Sequence, residues 1–274
     1  MRLGIIGFGN IATALLDQLS RGSDGPLEHL AVLCRPAAAE ACAARLKAEF
    51  PGVAREVAVV TDAEGLIADR PGLVVECAGH SAVVAHAVPV LQRGVDVVVV
   101  SIGALADDAV ERKLRAAAEA GGSRLVLPAG AVGGVDLLAA LGAAGGLEVR
   151  YRGTKPPRAW TGTPAEEALD LAALDKAAIF FTGTAREAAR QFPKNANVAA
   201  TLALAGAGFE ATRVELIADP EARGNVHEYE VVSPVANYSV RIENLPSAGN
   251  AKTSVSTIFS VLREIRNRIG PVVI

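Results

Sequence analysis

Leu3-Gly4-Ile5-Ile6-Gly7-Phe8-Gly9-Asn10-Ile11-Ala12 sets a short apolar run directly against a glycine-rich turn and the start of a helical pattern. Leu3 to Ile6 reads as a strand that is apolar on both faces, and Ile11, Leu15, Leu16 and Leu19 recur at helical spacing behind it. Gly7 to Ala12 is therefore a GxGxxA sequence between a strand and a helix, the setting in which that spacing marks a dinucleotide-binding turn. Gly7 permits the tight turn, Gly9 lets the backbone approach a pyrophosphate, and Ala12 is small enough for close helix–sheet packing. The free N–H groups at the helix start, at Asn10 and Ile11, face the phosphates. The expected cofactor is NAD or NADP; a merely structural strand-to-helix turn is the alternative.

Working outward, Leu30 to Cys34, Val57 to Val60, Leu73 to Cys77, Val97 to Ser101 and Leu125 to Leu127 read as further strands, with a helix over Leu105 to Ala120. This alternation is that of βαβ units, so the fold class is α/β, a Rossmann-type doubly wound parallel sheet. Beyond Pro128-Ala129-Gly130 and a helix from Val135 to Ala143, the strands begin to alternate apolar with polar: Leu147 to Arg152, Val214 to Ala218, Val226 to Val232 and Tyr238 to Ile242. That pattern belongs to a mixed or antiparallel sheet, hence a second α/β substrate domain. The expected division is residues 1–133 for the dinucleotide domain and 134–247 for the substrate domain. The segment 248–274 returns to the first domain through a helix carrying Val255, Ile258, Phe259, Leu262 and Ile265 on one stripe.

Where an NAD site commonly carries an acid at the end of its second strand, this chain has Cys34-Arg35-Pro36. Arg35 can pair with a 2′-phosphate, admitting NADP as well as NAD, or can lie solvated on the surface. Two more strand ends, Glu76-Cys77-Ala78-Gly79-His80 and Ser101-Ile102-Gly103-Ala104, belong at the ligand-binding edge of such a sheet. The small residues Ala78 and Gly79 suit a flat ring passing close to backbone, and His80 either touches the nicotinamide end or starts a helix at the surface.

In the second half, His227 stands near the start of a strand in Gly224-Asn225-Val226-His227-Glu228-Tyr229. An imidazole there is either a general acid or base titrating near neutral pH or a half-exposed structural histidine. His29 and His86 read as structural or solvated. In Phe192-Pro193-Lys194-Asn195-Ala196-Asn197-Val198, Asn197 occupies a helix N-cap position; alternatively these amides and Lys194 meet cofactor or substrate at a cleft between domains. Lys155, in Tyr151-Arg152-Gly153-Thr154-Lys155-Pro156-Pro157, follows a strand and offers a cation for a carboxylate, unless the loop is basic surface.

A net charge of −3 over 274 residues gives no bias toward nucleic acid or an anionic membrane, and no apolar run is long enough to span a bilayer. Cys34, Cys42 and Cys77 lack metal-ligand spacing, so no metal site and no disulfide framework is expected. With no signal-peptide pattern at Met1, a cytoplasmic location is expected.

Gly7 to Ala12, Glu76 to His80, Pro128-Ala129-Gly130-Ala131, Phe192 to Thr201 and Asn225-Val226-His227 occur in an order that resembles the L-aspartate dehydrogenase family across nearly the whole chain. The asparagine segment and the late histidine are far more specific than GxGxxA. The resemblance implies NAD(P)-dependent oxidative deamination of L-aspartate through iminosuccinate to oxaloacetate and ammonia, the reverse amination, a homodimer, and a role in NAD biosynthesis. It implies cofactor contacts at Ala131 and Asn197 and the active-site histidine at His227. The two carboxylates of a dicarboxylic amino acid need two cationic sites, for which Lys155 and Lys194 are the expected residues. One departure is Pro128-Ala129-Gly130, where many members of the family carry serine before the glycine. Rival readings are another two-domain reductase acting on homoserine, dihydrodipicolinate or a sugar, and a catalytically silent dinucleotide sensor.

Overall fold

The computed structural model describes residues 1–22, 25–193, 195–247 and 250–273, with backbone only over 246, 247 and 250–253. The chain forms two compact units, Met1–Pro128 with Ile258–Ile274, and Ala129–Thr257.

In the first unit β1 (Arg2–Ile6), β2 (Leu27–Leu33), β3 (Ala54–Val60), β4 (Leu73–Glu76), β5 (Val97–Val99) and β6 (Leu125–Val126) form one parallel sheet in the order β3-β2-β1-β4-β5-β6. This is the Rossmann order, and the direction of winding reverses between β1 and β4, beside whose carboxyl ends ligands bind in such sheets. The all-apolar strands are explained by cover on both faces. Leu3 and Ile5 join Leu30, Val32, Leu73 and Val75 in one core with Ala12, Leu15 and Leu16 of the helix Asn10–Arg21. A side chain at Gly4 would instead meet Leu66 Cδ1 at 3.1 Å, which puts the helix Ala63–Ala68 on the opposite face.

The C-terminal helix, Val255–Ile269, contributes Ile258, Val261, Leu262 and Ile265 to the Leu3–Ile5 core. Each such buried side chain is worth roughly 1.5–3 kcal/mol of transfer free energy before the cost of ordering the chain. Arg268 pairs with Asp96 at 2.6 Å, and the second oxygen of Asp96 accepts from the Arg124 N–H at 2.6 Å, fastening the helix end to the sheet. One member of the expected stripe differs: Phe259 is exposed and Val261 is buried instead. The buried row runs 258, 261, 262, 265, and residue 259 lies off its edge.

The second unit holds a five-stranded sheet of β7 (Glu148–Lys155), β8 (Ala178–Thr184), β9 (Arg213–Ala218), β10 (Asn225–Val232) and β11 (Tyr238–Asn244), in the order β11-β10-β7-β9-β8. The β7–β9 pairing is parallel and the others antiparallel, so the sheet is mixed, and one face is covered. Val149 and Tyr151 of β7 and Asn225, His227, Tyr229 and Val231 of β10 all turn inward. The helices Val135–Gly142, Ala185–Gln191 and Asn197–Ala205 belong to this unit, and a separate two-stranded antiparallel sheet pairs β12 (Pro246–Ser247) with β13 (Asn250–Ser254). β8 and the helix after it were not anticipated. A register shift between Ile179 and Phe181 breaks the period of two in β8.

The units divide at 128/129 and at 257/258 rather than at the expected 133/134 and 247/248. The carbonyl of Ala131 accepts from Asn244 Nδ2 at 3.0 Å and that of Gly133 from the Tyr229 hydroxyl at 2.7 Å, which ties residues 129–133 to the second sheet. No helix among the described residues is long and apolar enough to cross a membrane.

Candidate active site

At the carboxyl edge of β1 the Gly7 N–H donates to the Leu33 carbonyl at 2.8 Å, and Gly7 has φ +96°. A Cβ there would stand 2.6 Å from the Cβ of Ala78, so the turn demands glycine for purely structural reasons. Gly9 is different. A Cβ on Gly9 would meet nothing within 4 Å, so no neighbour in the fold requires glycine at that position. What a bare backbone leaves there is open space at the start of the helix Asn10–Arg21, whose N-cap is Gly9 and which has no side-chain cap. That is the arrangement a pyrophosphate uses.

Gly7 and Gly9 line a cavity of about 800 Å³ together with Arg35, Ala78 and His86. Arg45 lies on the same wall, its guanidinium 4.9 Å above the Phe8 ring and its Nε 2.7 Å from Glu49. The cavity thus has the volume, the helix N-terminus and the cations that a dinucleotide phosphate needs. His86 is half-buried on the wall of this cavity, and burial lowers its pKa against a weaker upward pull from Asp62. His29 is buried, 3.7 Å from Asp69, and stands away from this edge. His80 begins the helical segment His80–Ala82.

A residue that sequence reasoning missed organises the same edge. Glu76, fully buried at the end of β4, accepts at Oε1 from the Ala78 and Gly79 N–H groups, both at 2.8 Å, and from the Ser101 hydroxyl at 3.0 Å. Its Oε2 accepts from the Ser101 N–H at 3.1 Å. One carboxylate therefore joins the two strand-end segments, 76–80 and 101–104, whose small residues mark them for ligand approach. Burial pushes its carboxyl up, while the four donors oppose that shift. A glutamate closing an otherwise apolar strand, Leu73-Val74-Val75-Glu76, was the available signal.

The second unit gathers a distinct set. Tyr151, Gly153 and Lys155 alternate along β7 and so share a face, and the antiparallel register sets Gly153 opposite His227 on β10. His227 Nδ1 lies 2.7 Å from the Tyr151 hydroxyl. Lys155 is 4% exposed; its Nζ donates to Asn195 Oδ1 at 2.9 Å and lies 5.1 Å from the Trp160 ring centre. Trp160 is held by its Nε1–H on the Ile217 carbonyl at 3.0 Å and by edge contacts with Phe180 and Phe192. A buried ammonium beside a neutral imidazole is an anion-seeking site with a proton acceptor next to it.

His227 is neither half-exposed, as the structural reading expected, nor titrating near neutral pH, as the acid–base reading expected. His227 is 3% exposed, and burial, followed by the Lys155 charge, pushes its pKa down to about 3. Asn197 is not the N-cap either: Ala196 supplies the first helical carbonyl, to the Ala200 N–H at 3.0 Å, leaving Asn197 as the first residue of the helix. Ala131 and Asn197 belong to the second unit and are not among the residues that line the cavity. Lys194 lies outside the described residues. A second hollow of about 790 Å³, between Pro157 and Ala172, takes in neither Lys155 nor His227 and carries Glu166, Glu167 and Asp170 on its wall, which disfavours a dicarboxylate.

A Rossmann unit with a vacant glycine at its phosphate turn, and a second α/β unit with a buried lysine and histidine, define a dinucleotide-dependent oxidoreductase. Comparison with known proteins agrees. Residues 7–128 match the NAD-binding domain of homoserine dehydrogenase and residues 136–268 the C-terminal domain of aspartate dehydrogenase. The chain is 46% identical over 268 residues to the L-aspartate dehydrogenase of Ruegeria pomeroyi, covering 98% of this chain and 92% of that one. It is 47% identical over 199 residues to that of Cupriavidus taiwanensis, covering 73% and 75%. The crystal structure of aspartate dehydrogenase from Thermotoga maritima superposes with a TM-score of 0.74 at 28% identity, over 100% of this chain and 99% of that one. The chain belongs to the L-aspartate dehydrogenase family.

Proposed function

We propose that the protein catalyses NAD(P)-dependent oxidation of L-aspartate to iminosuccinate, which water converts to oxaloacetate and ammonia, and the reverse amination. The observation that carries this reading is the pairing of a buried cation, Lys155, with a buried neutral imidazole, His227, on one face of the second sheet. Family membership supplies the substrate.

Gly7, Gly9, Asn10 and Ile11 would hold the dinucleotide phosphates, with Ala78 and Gly79 against the nicotinamide end; Ala131 and Asn197 are the further cofactor contacts proposed. Bound there, nicotinamide supplies the hydride acceptor. Lys155 binds one substrate carboxylate, and Lys194 is proposed for the other. An amino acid reaches the enzyme as an ammonium ion, which cannot release hydride from its carbon until it loses a proton, and His227 takes that proton. At neutral pH the free imidazole is uncharged and ready to accept. Burial is the main cause of the depressed pKa and the Lys155 charge the second; a substrate carboxylate seated on Lys155 offsets that second cause, so proton affinity rises in part when the substrate arrives. Arg35 is proposed to admit the 2′-phosphate of NADP, and the protein is proposed to act as a cytoplasmic homodimer.

The test is NAD(P)H absorbance with L-aspartate, and with oxaloacetate plus ammonium. Turnover in both directions is expected. Turnover of homoserine or a sugar instead would redirect the assignment, and stoichiometric dinucleotide binding without turnover would favour a sensor.

A further inference from the structure

We infer that Tyr151 is a positioning residue for His227, holding the ring in the form whose Nε2 is free to take a proton, and that Gly153 exists to let it do so. The inference rests on the proposed role of His227 and adds to it.

Tyr151 and Gly153 stand two residues apart on β7, on the face they share with His227. Tyr151 leans along its own strand, over Gly153, and across to the neighbouring strand. A Cβ at position 153 would lie 2.6 Å from the Tyr151 hydroxyl oxygen and 3.1 Å from Cζ, so any side chain there would displace the phenol. The glycine is not needed for backbone freedom, since it is absent from the positive-φ positions. Its role is the room it leaves above the sheet. Through that room the hydroxyl comes within 2.7 Å of His227 Nδ1, with the two rings only 20° from parallel.

Both partners are buried, at 1% and 3% exposure, and burial raises the phenol pKa, so the hydroxyl keeps its proton. A phenol can accept from Nδ1–H. Doing so places the ring proton on Nδ1, leaves Nε2 with a lone pair, and continues to satisfy Nδ1 once Nε2 has been protonated. The step is a proton transfer alone: the substrate ammonium loses the proton, Nε2 gains it, and the Nδ1–H bond to Tyr151 is retained. A carboxylate in the same place would add a negative charge beside the substrate dicarboxylate. A neutral phenol orients the ring without repelling the substrate.

The experiment compares wild type, Tyr151→Phe and His227→Gln for turnover, for the acid limb of the kcat profile with L-aspartate, and for the ring-proton position of His227 by nitrogen-detected histidine NMR. The expectation for wild type is an Nδ1–H tautomer. Tyr151→Phe should shift it toward Nε2–H, lower kcat about ten- to hundredfold, move the acid limb to lower pH and leave NAD(P) affinity unchanged. A Tyr151→Phe enzyme that is slower with tautomer and acid limb unmoved would make Tyr151 packing only, and overturn the inference. Near-normal kcat in Tyr151→Phe alongside an inactive His227→Gln would overturn it while sparing the role of His227. Full activity in His227→Gln would remove both. Should Tyr151→Phe fail to fold, an Nε2–H tautomer in the wild type overturns the inference by itself.

Discussion

Lys155 and His227 sit on the same face of adjacent strands, and the Lys155 ammonium is the second cause, after burial, that holds the His227 pKa near about 3. Burial, with that charge in support, thus keeps the proposed base unprotonated at neutral pH, and the same cation is the proposed seat of a substrate carboxylate.

The depressed pKa has a thermodynamic consequence for the folded chain. The unfolded histidine binds a proton below its usual 6.5 while the folded one does not until about 3, so His227 favours folding above pH 6.5 and that contribution is lost as pH falls toward 3. Lowering the pH from about 7 to about 5 should cost about 2 kcal/mol of stability through this one residue. Urea denaturation at the two pH values measures it, and His227→Gln should remove that share of the acid sensitivity. An equal pH dependence in the variant would show that the imidazole is not held neutral.

Lys155→Met keeps the stem over Trp160 and deletes the charge. We expect the Michaelis constant for L-aspartate to rise about ten- to hundredfold, the worth of a charge-assisted hydrogen bond of about 1.5–3 kcal/mol, with NAD(P) affinity unchanged. Steady-state kinetics in both substrates checks it, and an unchanged aspartate constant would remove Lys155 from substrate binding.

Glu76 receives four donors and no acceptor. In Glu76→Gln the amide nitrogen must face an N–H group whichever way it is turned, so the change should destabilise the protein by about 1–3 kcal/mol. It should also weaken dinucleotide binding, because Ala78, whose backbone it holds, borders the cavity. Denaturant midpoints and dinucleotide titration together test this; a variant as stable as wild type would mean that the network is not needed.

Arg35 lies at the end of β2 on the cavity wall, where no acid is available to bond a ribose hydroxyl. Arg35→Ala should raise the NADP Michaelis constant about tenfold or more and leave NAD nearly unchanged, as loss of a charged contact worth ~1.5–3 kcal/mol requires. Equal effects on both coenzymes would make Arg35 a bystander, and Arg45, which lines the same cavity, the next residue to test.

The parallel sheet was legible because strands covered on both faces are apolar throughout, and Leu3 to Ile6 runs straight into Gly7. The C-terminal helix was legible because Ile258, Leu262 and Ile265 keep helical spacing. What could not be read depends on register. Nothing in the spacing of Tyr151, Gly153 and His227 says that β7 and β10 pair so as to bring a phenol to an imidazole 76 residues away. The burial of Lys155 was hidden for the same reason, since its cover, Asn195 and Trp160, comes from other segments. Glu76 received no role of its own because its donors, at Ala78, Gly79 and Ser101, are set by the fold of two strand ends and leave no spacing signal. β8 was missed where its register shift interrupts the alternation.

The most direct measurement is turnover of His227→Ala with L-aspartate, taken together with its NAD(P)H binding. If His227 takes the proton from the substrate ammonium, kcat should fall by roughly two to four orders of magnitude, the usual yield of a positioned acid or base. Dinucleotide affinity should hold, because the Gly7–Ala12 turn and the cavity behind it belong to the other unit. Near-normal turnover, or a loss of NAD(P)H binding in parallel with activity, would contradict the assignment of His227 as the base.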